Sequence, residues 1–249
     1  MDRYILPVSL ILTWQLLSYF KVLPGYLLPS PLKILAGFRD LLITGMPPHH
    51  LLYNHVRYSL YRVALGFSMA CLVGIPLGVL MGWSSRLRTM ISPIIEMIRP
   101  IPPLAWIPIA ILWFGIGIKS AAFIIFLGSF FPILLNTISG VLSVNNIFLE
   151  AARTLNASER DIFFKVLIPG SIPSIFVGMK IGMGIGWMTL VAAEFTGVKE
   201  GYGLGYMIMT ARDIQRPDEI IAGMFVIGAI GLLINYALAS CESKILRWR

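Results

Sequence analysis

The sequence predicts an all-α, polytopic membrane protein with about six transmembrane helices. Three observations carry this expectation. Of its 249 residues 57% are hydrophobic and only 13% are charged, against about 25% charged in a typical soluble domain. Mean hydropathy is +0.81. Apolar runs near the ~20 residues that a spanning helix needs recur along the chain, separated by short charged linkers.

The same composition excludes other classes. The net charge is +8, but the basic residues stand singly between apolar runs and form no stripe, so nucleic-acid binding is not expected. Cys71 and Cys241 lie in separate apolar segments and give neither metal spacing nor a disulfide framework. His49, His50 and His55 cluster in one linker without a neighbouring Cys or carboxylate, which reads as solvated linker rather than metal site. The N-terminal apolar run lacks a small-residue cleavage site and reads as a retained first span.

The elements follow in order. The first span is Tyr4 to Phe20, somewhat short. Leu28 to Thr44 carries Lys33, Arg39 and Asp40, with Leu32, Leu35, Phe38 and Leu42 at helical spacing, and reads as an amphipathic interfacial helix. The second span runs from about Tyr58 to Gly82 and the linker WSSRLR follows. The third, about Ile91 to Phe114, contains Pro93, Pro100, Pro102, Pro103 and Pro108, so it must be kinked or broken. In lipid that is tolerable only where the freed carbonyls face protein or a wet cavity. The fourth span is about Ala121 to Leu142. The fifth, about Ile172 to Phe195, places Gly178, Gly182 and Gly186 four apart, a small-residue stripe for close helix packing. The sixth is about Ile220 to Ser240, ending in the basic tail KILRWR.

Six spans put both termini on one side. With the termini inside, nine Lys/Arg fall in the cytoplasm against eight outside, or nine when Arg62 is counted, so charge does not choose the orientation.

Between spans four and five lies a polar block, EAARTLNASERDIFFKVLIP, residues 150–169. Glu150 to Leu155 favours helix. Asn156 tolerates the left-handed conformation that ends helices. Ser158 then reads as an N-cap with Asp161 three residues on, and Glu159 and Asp161 suit the positive end of a new helix. Pro169 is expected to stop that helix. The block is a helical hairpin presented outside the bilayer. The dipeptide Gly-Lys never occurs, so the chain has no phosphate-binding P-loop. The glycines of GYGLG (201–205) follow a membrane helix and lack dinucleotide spacing.

The block resembles the EAA motif of ABC importer permeases. RPIPPLAWIPIAILWFGIG (99–117), EAARTLNAS (150–158), GLGYMI (203–208) and the tail LRWR are similar to the nitrate/sulfonate/taurine/bicarbonate branch of that family, and the similarity covers nearly the whole chain. The family pattern has Gly where this chain has Asn156. The resemblance implies the type I importer permease (MetI-like) fold. Residues 1–57 would be a first helix plus the amphipathic segment, and residues 58–249 a five-helix permease core with a coupling region at 147–169. Glu150, Ala151, Ala152, Asn156, Ser158, Leu167 and Pro169 would couple to an ATPase. The implied partners are two ATP-binding cassette subunits, a second permease copy in a homodimer, an extracytoplasmic substrate-binding protein and the lipid bilayer. ATP and Mg would reside in the ATPase, and this chain would bind no cofactor or metal and catalyse no reaction. The hairpin and both termini would be cytoplasmic, in a prokaryotic plasma (inner) membrane. The solute would be a small anion.

Polar residues inside spans are costly and mark candidate solute-pathway or gate positions: Trp106, Asn136, Trp187, Thr189 and Glu194. A bare Glu194 carboxylate would repel an anion, which favours a structural or gating role. Glu96 and Arg99, three apart, are expected to pair on one helix turn, and Lys180 to snorkel. The alternative to an ATP-driven permease is an ion-coupled secondary transporter without an ATPase partner, which would show repeated halves and an intramembrane charge relay. A membrane-embedded enzyme would need clustered nucleophiles that the spans lack.

Overall fold

The computed structural model describes residues 5–20, 22, 24–195 and 201–246. No strand occurs among them. The helices are α1 (Ile5–Tyr19), α2 (Pro31–Ile43), α3 (Leu52–Trp83), α4 (Ser85–Ile98), α5 (Ile107–Phe114), α6 (Ile118–Leu142), α7 (Asn146–Thr154), α8 (Glu159–Asp161), α9 (Ile168–Phe195), α10 (Leu204–Asp213) and α11 (Pro217–Ile245). They form two compact units, Met1–Leu60 with Glu194–Gly231 and Tyr61–Ala193 with Leu232–Arg249.

Among the described residues four helices are long and apolar enough to cross a bilayer: α3, α6, Glu159–Phe195 and α11. A fifth span arises when α4 and Pro103–Phe114, bent by 82°, count as one. The expected six therefore become four or five plus α1. Helix α1 has 15 residues, or about 22 Å at ~1.5 Å per residue, short of a ~30 Å hydrocarbon core.

In the larger unit α6 is the centre, with fourteen buried residues. Two glycine stripes bring neighbouring backbones against it. The expected stripe on α9 does so: a Cβ on Gly182 would lie 2.8 Å from the Ser129 carbonyl, and one on Gly178 2.8 Å from Asn136 Cβ. A second stripe, on α3, matches it. A Cβ on Gly66 would lie 2.5 Å from the Ala122 carbonyl, and those on Gly78 and Gly82 would lie 2.6 Å from Thr137 and 2.5 Å from Val141. Such backbone proximity lets dispersion and interhelical hydrogen bonds hold helices where water supplies no hydrophobic drive. Ser129 shows this directly, its hydroxyl donating to the Gly182 carbonyl at 2.9 Å.

The proline-rich third span breaks where its prolines cluster. Helix α4 ends at Ile98, Pro103–Trp106 forms a 3₁₀ turn, and α5 resumes at Ile107 with Pro108 in its first turn. The expected linker WSSRLR instead begins a helix: Ser84 Oγ accepts from the Leu87 N–H at 3.3 Å, so Arg86 and Arg88 lie in the first turn of α4. Among the described residues no ion pair joins Glu96 to Arg99, although Arg99 still holds helical geometry as the C-cap of α4. Lys180 is partly exposed, and its ammonium pairs with Glu242 of α11 at 2.6 Å, so each of the two half-buried charges has a partner.

In the smaller unit α2 begins as predicted at Pro31, with Ser30 Oγ accepting from the Lys33 N–H. It is not simply an interfacial helix. Ile34, Gly37 and Leu41 are buried, and a Cβ on Gly37 would meet the Asp218 backbone at 2.9 Å. The predicted apolar row, Leu32, Leu35, Phe38 and Leu42, faces outward. Arg216 ties the helix down, contacting Asp40 at 2.9 Å, Asp218 at 2.9 Å and Glu219 at 2.8 Å. The Asp218 carboxylate, then Asp40, holds the Arg216 guanidinium still further above its ordinary pKa, so it stays charged.

The α6–α9 contact makes a paired prediction. Gly182→Ala is expected to destabilise the protein by about 1–3 kcal/mol, the usual cost of overpacking. Gly184→Ala, where nothing lies within 4 Å of the added carbon, is expected to be neutral or slightly stabilising. Thermal unfolding midpoints in detergent would check this, and equal shifts for the two variants would contradict it.

Candidate functional site

Three places carry chemistry. The first is the polar hairpin. Asn145 caps α7, its Oδ1 accepting from the Ile147 N–H at 2.9 Å. The helix ends at Thr154, and Asn156 has φ +60°, the left-handed geometry that its short polar side chain tolerates. Ser158 opens the next helix by accepting from the Asp161 N–H at 3.1 Å, while its hydroxyl donates to the Asp161 carboxylate at 2.6 Å. Arg153 and Glu159 bridge the turn at 3.2 Å, and Lys165 pairs with Asp161 at 2.7 Å.

Beyond Asp161 the backbone widens into a π-helical stretch, Ile162–Leu167, and continues directly into α9. Pro169 therefore does not stop the helix. It lacks the N–H that would complete an α-helical bond, and the π turns just before it bond differently, Ile168 N–H reaching Phe163 O five residues back. Ile162 and Leu167 are buried, and Leu167 packs with Val79 and Val141. The opposite side is open: Ile147, Phe148, Leu155 and Phe164 are each more than half exposed, beside exposed Glu150 and Ala151 and half-buried Ala152.

The second place is a cleft of about 380 Å³ in the larger unit. Arg99 and Trp106 line it from the broken span, Phe131 and Asn136 from α6, and Ile181 and Ile185 from α9. Of the sequence-predicted pathway residues it brings together Trp106 and Asn136. Trp187 and Thr189 are buried instead. Thr189 Oγ1 donates to the Gly186 carbonyl at 2.9 Å and sits against Gly128. Trp113 is exposed and packs edge-on against Phe114 and Phe123.

The third place is Glu194, fully buried in the smaller unit. Its Oε1 accepts from the Ser59 hydroxyl at 2.8 Å and its Oε2 from the Gly205 N–H at 2.8 Å. Ser59 Oγ in turn accepts from the Leu204 N–H at 2.9 Å. The first turn of α10 is thus capped from outside, and a carboxylate suits that positive end. Gly203 is required there, since a Cβ would lie 2.7 Å from the Glu194 carboxyl carbon.

His55 joins the same cap and corrects the expectation of a solvated linker. It is fully buried in the first turn of α3. Its Nδ1 lies 3.0 Å from the Gly203 nitrogen and 2.9 Å from the Gly203 carbonyl oxygen, and its Nε2 lies 3.2 Å from the His50 carbonyl oxygen, so both ring nitrogens meet backbone polar groups. Tyr202 stacks on Tyr58 at 5.1 Å and lies 4.6 Å from His50. Neither His55 nor Ser59 was singled out from sequence as functional. Their partners lie about 145 residues away, and no local pattern marks them.

The chain is similar to known proteins along most of its length. The family model described as "Binding-protein-dependent transport system inner membrane component" matches residues 74–241. An ABC transporter permease protein of Methanocaldococcus jannaschii is 44% identical over 98% of this chain and 90% of its own. The taurine transport system permease protein TauC of Escherichia coli is 36% identical over 96% of this chain and 86% of its own. The nitrate import permease protein NrtB of Synechocystis is also 36% identical, over 95% and 86%. Among solved structures a chain of the MetNI methionine ABC transporter, in inward-facing conformations, superposes with TM-score 0.68 at 21% identity, covering 78% of this chain and 95% of that one. That likeness establishes the MetI-like fold. With a capped polar hairpin between apolar helices, a broken third span and relatives matched along nearly their whole length, the chain belongs to the binding-protein-dependent transport system inner membrane components, as a multi-pass permease of the ABC importer class.

Proposed function

We propose that this chain forms the solute pathway of an ATP-driven importer for a small anion, of the kind that the names of its relatives give as taurine or nitrate. The observation that carries the reading is the hairpin at 146–167. It is rigidly capped at both ends of its turn, yet holds Ile147, Phe148, Leu155 and Phe164 out to solvent beside two alanines. An apolar, small-residue surface on a polar knob is what a partner protein's cleft accepts.

The partner in this reading is a pair of ATP-binding cassette subunits, with ATP and Mg held there. This chain carries no P-loop and performs no covalent step. Glu150, Ala151, Ala152, Asn156, Ser158, Leu167 and Pro169 form the coupling element: the alanines allow close approach, and the capped turn transmits force without bending. Two permease copies form the pore, and an extracytoplasmic binding protein delivers solute. Both termini and the hairpin face the cytoplasm across the inner membrane. Residues 58–249 form the permease core and residues 1–57 an addition to it. ATP-driven closure brings the hairpins together and opens the pore outward, and hydrolysis resets it. Trp106 and Asn136 line the path, while Trp187, Thr189 and Glu194 act through helix packing and capping rather than by contact with solute. The pairing of Lys180 with Glu242 supports this over an ion-coupled relay, because neither charge stands alone in the bundle.

Ala151→Asp is expected to abolish co-purification with an ATPase, since it places a charge on the docking surface, whereas Asn156→Gly keeps the left-handed turn and is expected to retain it. Pull-down from detergent extracts reads both, and undiminished capture with Ala151→Asp would count against the docking role. Glu194→Gln puts an amide N–H against a donor of the α10 cap. It is expected to lower uptake and thermal stability while leaving the solute KM unchanged. Unchanged uptake together with unchanged ATPase coupling would remove Glu194 from the mechanism.

A further inference from the structure

The cleft supplies donors and no acid. Arg99 is exposed, and its guanidinium has no ion-pair or hydrogen-bond partner among the described residues. Asn136 spends one amide N–H on the Pro132 carbonyl at 2.8 Å, which orients the side chain and leaves the second N–H uncommitted. The Trp106 indole N–H likewise has no partner among the described residues. Among the described residues no Asp or Glu lines the cleft. The remaining wall is apolar, including Phe131, Ile181 and Ile185. The two features ask for a ligand with two ends. A planar guanidinium grips a multi-oxygen anion through paired N–H bonds. A bare inorganic ion set against Phe131 and the isoleucines would lose hydration there without return, whereas an alkyl body would gain from the same contact.

We infer that Arg99 is the specificity-determining cation of the solute path, and that with Trp106 and Asn136 it binds an organic oxyanion, a short alkyl sulfonate or carboxylate, in preference to an inorganic one. The inference rests on the permease reading above and names the solute class of the same path. It also removes the difficulty of an anion meeting Glu194, because the Glu194 oxygens are engaged by Ser59 and Gly205 while the cleft presents an arginine.

The test uses the complex purified from its own membranes into lipid nanodiscs. Equilibrium dialysis measures radiolabelled ethanesulfonate binding to the wild type, Arg99→Ala and Arg99→Lys, with nitrate and ethylammonium as competitors. Wild type is expected to bind ethanesulfonate, and Arg99→Ala about tenfold more weakly or worse, the usual loss for a charge-assisted hydrogen bond. Arg99→Lys, which keeps the charge but not the fork, should fall between. Nitrate should displace the label at least about tenfold less effectively than unlabelled ethanesulfonate, and ethylammonium not at all. Equal binding by Arg99→Ala, no binding by wild type, or displacement by nitrate as effective as by ethanesulfonate overturns the inference. ATPase retention, scored on the same preparations, separates the two readings. A wild-type permease that holds no ATPase defeats the proposed function, whereas retained ATPase with Arg99-independent binding defeats only the role of Arg99.

Discussion

The larger unit depends on how closely two helix backbones can approach α6. At Gly66, Gly78, Gly82, Gly178 and Gly182 the nearest atoms of α6 occupy the space a methyl group would take. In lipid no hydrophobic gain separates a helix packed on protein from one packed on acyl chains, so contact quality decides. A helix gripped on two sides in this way becomes a fixed post, and the surfaces of α6 left uncovered are held in position. Phe131 and Asn136, which line the cleft, lie on it.

That rigid frame permits the irregular backbone beside it. Between Ile98 and Ile107 the chain has no regular α-helix, and in hydrocarbon its polar groups would be costly unless protein or water met them. The break instead forms one wall of the cleft, supplying Arg99 and Trp106. A similar accommodation occurs at Pro169, where the widened π turns keep the path from Ser158 to Phe195 continuous. A helix that ended at the proline would uncouple the hairpin from the bundle. A continuous one makes the second half of the hairpin the first turns of a spanning element.

Local signals in the sequence were legible and long-range ones were not. The Asn156 turn, the Ser158 and Ser30 caps, the break among Pro100, Pro102 and Pro103 and the glycine stripe on α9 each follow from residue chemistry within a few positions. The errors share one cause. His55 reads as linker and Glu96–Arg99 as a pair when each is judged against its sequence neighbours. Their actual settings are Gly203 and, for Arg99, a cleft wall made by three separate segments. Pro169 failed differently, since the rule that proline ends a helix assumes α-helical bonding just before it. The stripe on α3 was present in the sequence at Gly74, Gly78 and Gly82 with the same four-residue spacing; its regularity was masked by the overall apolar character of the segment.

The cap on α10 bears on what this short helix needs in order to form. Helix α10 has ten residues, shorter than the ~12–15 at which isolated helices become even marginal in water. Its leading N–H groups are met by side chains 148, 145 and 11 residues earlier in the chain. Two of those acceptors, His55 and Ser59, stand at the start of α3, and the third, Glu194, at the end of α9. The ordering of so short a helix is thus tied to the meeting of two segments far apart in the chain, and a change at either one reaches α10.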